Sequence, residues 1–137
     1  MYPAQIVLPM KAELTDVGFE DITTAEAVTD AIENTEGTVL IVVNSVCGCA
    51  AGMARPGVKA SLNANKKPDR LCTVFAGFDT DAVNKVREHL MPYPPSSPSI
   101  ALFKNGELVH MIERHNIEGH SAMVIAQSLA AAYDEHC

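Results

Sequence analysis

The stretch "VLIVVNSVCGCAAGMARPGVKA", residues 39–60, decides how the chain folds. Residues 38–44, "TVLIVVN", form a run rich in β-branched residues with no polar alternation, which reads as a strand buried on both faces. The run ends in Asn44 and Ser45, polar residues suited to hydrogen-bonding the start of a helix. Cys47 and Cys49 follow with only Gly48 between them, and an alanine-rich segment comes next. Met53, Ala54, Val58 and Leu62 recur near helical spacing, so a helix is expected to about Asn63, kinked at Pro56. The strand therefore hands over to a helix at a pair of thiols.

Working outward, "PMKAELTDVGF" has weak helical character and ends at Gly18. "TTAEAVTDAIENTEG" is a stronger helix with Thr23 or Thr24 as cap, Glu26 in its first turn and Gly37 past its end. "LCTVFAG", residues 71–77, is a second buried strand. "DTDAVNKVREHL" is an amphipathic helix capped by Asp79 or Thr80. A proline-rich loop, "MPYPPSSPS", leads into "SIALFKNGELVHMIE", two strands joined at Asn105-Gly106, the strongest short hairpin signal. "GHSAMVIAQSLAAAYDEH" closes the chain as a helix. The order α, β, α, β, α, β-hairpin, α predicts an α/β domain over residues 1–137. Its central mixed sheet of about four strands is flanked by helices, parallel where helices cross over and antiparallel at the hairpin.

Composition excludes several function classes. Of 137 residues, 47% are hydrophobic and 20% charged, which suits one globular core. Lys and Arg number 10 against 17 Asp and Glu, a net charge of −7 that argues against nucleic acid as a partner. The apolar runs fall short of the roughly 20 residues of a membrane span. The N-terminus has no signal-peptide pattern, so no membrane and a cytoplasmic location are the expectations. Four cysteines in such a chain point to catalysis, metal binding or burial rather than a disulfide framework.

The cysteine pair admits a chemical reading from its position alone. Cys47 sits at or just before the first turn of a helix, where unpaired N–H groups and the helix dipole favour a thiolate. A thiolate attacks disulfides. Gly48 keeps the link short and flexible, so Cys49 can bend back as a resolving thiol. The rival reading is a metal-binding module, Cys47 and Cys49 supplying two ligands and His115 and His120 two more. Arg55 is either a solvated helix charge or a cation that stabilises a thiolate or a substrate carboxylate. Glu113, Arg114, His115, Glu118 and His120 follow the last strand at an edge expected to be remote from the thiols. Cys72, in an apolar strand, reads as a buried core thiol. Cys137 is a tail thiol of open role.

These features carry a resemblance. A strand feeding a helix through a cysteine pair, followed by "SPSIALFKNGELV", resembles the thioredoxin-like fold, although thioredoxins have Cys-x-x-Cys and this chain Cys-x-Cys. More specifically, "NSVCGCAAGMARP", "TVFAG", "PSSPS", "RHNIEGH" and the terminal "HC" resemble the bacilliredoxins, from "ELTDVGFEDITTAE" to Cys137. The resemblance implies a thiol–disulfide oxidoreductase that removes bacillithiol from mixed disulfides on protein cysteines. General protein disulfide reduction or isomerisation is the alternative activity. It implies bacillithiolated or disulfide-bonded proteins as partners, bacillithiol as the small thiol, and no bound cofactor. It also implies that Pro98 is cis and faces the cysteines, crowding out metal, and that Ser97 offers backbone groups to substrate. A disulfide closed over one residue is a tight ring, and strained disulfides are the more oxidising ones. The spacing thus predicts a 47–49 couple more oxidising than Cys-x-x-Cys, which a redox titration at or below thioredoxin's potential would refute.

Overall fold

All seven residues of the strand Thr38–Asn44 are buried, as its unbroken apolar run requires of a central strand. A computed structural model describes residues 1–137 and places this strand, β2, at the middle of one five-stranded sheet of order β1-β3-β2-β4-β5. The other strands are β1 (Glu20–Asp21), β3 (Arg70–Phe75), β4 (Ser99–Lys104) and β5 (Glu107–Ile112). The pairs β1/β3 and β2/β3 are parallel, β2/β4 and β4/β5 antiparallel. The fifth strand, β1, was not expected: two residues are too short for any period, and the element exists only because Glu20 and Asp21 pair with Cys72 and Thr73.

Side chains alternate across β2, so each face builds its own core. Val39, Ile41 and Val43 join Val28 and Ile32 of helix α2 (Ala25–Glu33) and Val83 and Val86 of α4 (Thr80–Leu90). Leu40 and Val42 join Leu14 of α1 (Ala4–Thr15), Val58 of α3 (Arg55–Ser61), and Ile125, Leu129 and Tyr133 of α6 (Ala122–His136). A short helix, α5 (Arg114–Ile117), links β5 to α6. Gly57 lets α3 and α6 touch: a Cβ there would lie 2.8 Å from Ile125 Cγ2 and 3.0 Å from the Ala122 carbonyl.

Local signals account for the boundaries. Thr24 caps α2 by accepting from the Ala27 N–H (3.1 Å), and Ser121 caps α6 through the Val124 N–H (3.2 Å). Asn105 and Gly106 both take positive φ, as a two-residue hairpin turn requires. Three expectations change. Helix α1 starts at Ala4 and carries Pro9 inside it, on the exposed side where water can serve the freed carbonyl. Asp79 holds the N-cap position of α4, but its side chain bonds no N–H of the helix; its Oδ2 accepts from the Phe75 N–H (3.1 Å) and pairs with Lys11 (2.9 Å). Pro56 does not kink a helix midway. It lies at the start of α3, directly after a wide π-helical turn, Ala50–Ala54, which absorbs the missing donor.

Candidate active site

The site begins at the last residue of β2. Asn44 Oδ1 accepts from the Ser45 N–H and from Arg55 Nη1, each at 2.9 Å, and Asn44 Nδ2 donates to the Met10 carbonyl (3.2 Å). The strand end thereby locks α1, α3 and the following loop together. Ser45 Oγ then accepts from the Cys47 N–H (3.3 Å). The Cys47 carbonyl accepts from the Ala50 and Ala51 N–H groups, at 3.0 and 3.2 Å, so the chain turns helical directly after Cys47. Cys47 and Cys49 are disulfide-bonded, their Cα atoms 5.4 Å apart, and the Cys49 N–H points at Cys47 Sγ (3.3 Å). Cys47 is half-buried and opens on a cleft of about 240 Å³, whereas Cys49 is 8% exposed and packs into the core beneath.

The remaining expected site residues divide. Ser97 lines the cleft beside Cys47; the Ser97–Pro98 bond is cis and Pro98 is buried. The Ser97 carbonyl is occupied by Arg114 Nη1 (3.2 Å), but its N–H has no partner in the chain. Gly48 is exposed, has no positive φ, and a Cβ there would meet nothing within 4 Å, so neither crowding nor backbone conformation demands glycine. Arg55 neither binds at the cleft nor sits in solvent. It is 1% exposed, and its Nη1 also donates to the Ser45 carbonyl (2.9 Å). Its Nε lies 3.1 Å from Glu13 Oε1, a charge contact in which the N–H does not aim at the oxygen. Arg55 therefore holds the loop before Cys47 in place and cannot reach a substrate.

Arg114, Arg87 and Tyr2 also line the cleft, and the sequence reading missed them. Arg114 was placed at a remote edge. The hairpin corrects this: past a bulge at Leu102/Phe103, Ile112 pairs with Ile100, so the residues after β5 run back beside those before β4. The Arg114 N–H thereby reaches Ser96 Oγ (3.4 Å). Arg87, on α4, looked like one solvated charge among several. Tyr2 is held by its N–H on the Gly77 carbonyl (3.1 Å), with its ring over Gly77.

The histidines weighed as metal ligands are not brought to the cysteines. His115 Nε2 contacts Glu113 (3.1 Å), and His120 lines a separate cavity of about 330 Å³ between β5 and α6 that holds no thiol. No three His, Cys, Asp or Glu side chains are grouped to hold a metal ion. Cys72 is a core thiol, pushed up to about 12 by burial and by neighbouring Glu20. Cys137 is free and exposed, outside the cleft. No helix is long and apolar enough to cross a membrane.

With this geometry in hand, comparison with known proteins is decisive about kinship. The family model described as disulphide isomerase matches residues 2–137. A bacilliredoxin of Cytophaga hutchinsonii is 62% identical over 98% of this chain and 99% of its own length. One from Shouchella clausii is 55% identical, covering 99% and 94%. Among solved structures, a putative oxidoreductase with a thioredoxin fold superposes with a TM-score of 0.58 at 15% identity, over 81% of this chain and 91% of that one. Oxidised mitochondrial thioredoxin 3 from Saccharomyces cerevisiae does so at 0.58 and 14%, over 90% and 98%. The chain belongs to the bacilliredoxin family and is a thiol–disulfide oxidoreductase of thioredoxin-like fold, built around the Cys47–Cys49 pair.

Proposed function

We propose that the protein removes bacillithiol from mixed disulfides on protein cysteines in the cytoplasm, with Cys47 as nucleophile and Cys49 as resolving thiol. The observation that carries the reading is the asymmetry of the pair: Cys47 opens on the cleft and Cys49 is buried behind it. An incoming disulfide can meet Cys47 and cannot meet Cys49. The helix start at Cys47 favours the attacking thiolate, and the unpaired Ser97 N–H offers a hydrogen bond to the backbone of a target protein. The small thiol is named from the relatives, which bear the name bacilliredoxin.

In the first step Cys47 thiolate attacks the bacillithiol sulfur. A Cys47–bacillithiol bond forms, the bond to the target breaks, and the target cysteine leaves reduced and takes up a proton. In the second step Cys49, as thiolate, attacks Cys47 Sγ and expels bacillithiol, leaving the 47–49 disulfide for a dithiol reductant to reopen. The description of the family model as disulphide isomerase favours a second reading, general reduction or isomerisation of protein disulfides. Intact-mass analysis of the Cys49→Ala variant, incubated with a bacillithiolated protein and a glutathionylated control, separates the two. A bacillithiol adduct on Cys47 with the target freed, preferred over the control, is the expected result. Trapping of the target protein on Cys47 would establish the second reading, and no adduct at all would remove Cys47 as nucleophile.

A further inference from the structure

The cleft beside Cys47 is cationic in a chain whose net charge is −7. Its lining includes two arginines, Arg87 and Arg114, and no Asp or Glu. The two are not equivalent. Arg114 is partly neutralised, its Nε 2.7 Å from Glu118 Oε1 and its Nη1 on the Ser97 carbonyl. Arg87 pairs with no carboxylate and makes no hydrogen bond, and its Nε is buried without a partner. Leaving a charged group's donor buried and unpaired is costly, so such a group is expected to have a partner that comes and goes.

We propose that this cleft is a carboxylate-binding subsite for the small thiol, with Arg87 as its anchor and Arg114 at its rim. This rests on the reading of Cys47 as the acceptor of that thiol. About 240 Å³ suits a small-molecule acid and is too small for a folded partner. An Arg fork fits a carboxylate in two-point contact. An acid group held there would stand beside Cys47 while its thiol sulfur lay within reach of Cys47 Sγ. The site would thereby select anionic small thiols over neutral ones, and the overall negative charge of the protein would otherwise repel them.

The test uses the reduced full-length protein in single turnover with two mixed disulfides of one reporter protein, one carrying mercaptosuccinate and one carrying 2-mercaptoethanol. Cys47 takes the small thiol, forming one S–S bond as the other breaks, and the reporter cysteine is released reduced. A charge-assisted contact of this kind is worth about tenfold in the mercaptosuccinate-to-mercaptoethanol rate ratio. That ratio should collapse in Arg87→Gln, through the concentration dependence rather than the saturating rate, and be largely retained in Arg87→Lys. The pH profile of Cys47 alkylation by neutral iodoacetamide is the second readout and should not move. An unchanged ratio in Arg87→Gln overturns the proposal. So does an equal loss on both substrates with a shifted alkylation profile, which would make Arg87 a positioning residue for the thiolate. If the wild-type protein transfers neither thiol, the reading of Cys47 as acceptor fails, and the subsite falls with it. If it transfers both without preference, only the subsite fails.

Discussion

Replacing Lys11 by Met should cost more stability than any other single exposed-looking change in α1, because Lys11 is not exposed at all. Its side chain is 7% accessible, and its Nζ lies 2.9 Å from both Asp79 Oδ2 and Asp21 Oδ1. Asp79 is 6% accessible and Asp21 37%, so the two partners differ in worth. The half-exposed Asp21 can rehydrate, and Asp21→Asn should cost under about 1 kcal/mol. Lys11→Met instead leaves the Asp79 carboxylate buried without its cation, a class of change that costs about 3–5 kcal/mol. Domains of this size hold only about 5–15 kcal/mol in total. The double variant Lys11→Met/Asp79→Asn removes the charge and keeps an acceptor for the Phe75 N–H. It should recover at least half of the loss.

The pH dependence has a definite sign. Burial pulls the Lys11 ammonium down, but hydrogen bonds to Asp79 and Asp21 outweigh it and hold Lys11 above 10.5. A group whose folded value is raised contributes stability that is complete below 10.5 and lost as pH rises through the folded value. The wild-type minus Lys11→Met difference should therefore be flat from neutral pH to about 9. Urea unfolding under reducing conditions measures all four proteins. A Lys11→Met loss below about 1 kcal/mol, or a double variant no better than the single, would sink the argument.

Two further outcomes follow from packing and burial. Gly57→Ala forces a Cβ against Ile125 and the Ala122 carbonyl and should destabilise by about 1–3 kcal/mol, whereas Gly52→Ala, in open space within a helical segment, should stabilise by about 0.5–1 kcal/mol. Thermal unfolding of both checks the contrast, and equal signs would refute it. With the 47–49 disulfide intact, iodoacetamide at pH 8 should label Cys137 and leave Cys72 unmodified until urea is added, because Cys72 is buried with its thiol pushed up to about 12. Mass mapping of label on native Cys72 would contradict its placement in the core.

The fold was legible where the sequence carried long periods. The unbroken run of β2, the Asn105-Gly106 turn and the apolar stripe of α2 each specify one element without help from the rest. Strand β1 and helix α5 were not legible, since two and four residues hold no period and both depend on neighbours far away in the chain. The cysteine pair could be read at once, because chemistry at a strand-to-helix junction needs only local sequence. The cleft around it could not, because Tyr2, Arg87, Ser97 and Arg114 come from four segments that only the tertiary fold brings together. Arg114 was within reach of hairpin counting; Arg87 was not, since nothing local says which way α4 turns its charges.

The three arginines near Cys47 show why residue type and spacing alone misassign a binding role. Arg55 is the choice from sequence because it follows Cys49 by six residues, yet it is buried, its Nη1 donates to Asn44 and Ser45, and its charge is paired with Glu13. Those contacts are what fix the loop that presents Cys47, so its charge is consumed in building the site. Arg114 divides its guanidinium between Glu118 and the Ser97 carbonyl, which ties the short helix α5 to the residue before Pro98 and leaves it partly free. Arg87 alone has no partner in the chain. Charge that is already compensated shapes a site, and charge left uncompensated within it is what remains to recognise a ligand. By that criterion the recognising cation is Arg87 of α4, which lines the same cleft as Cys47, and the sequence neighbour of the thiols serves as their support.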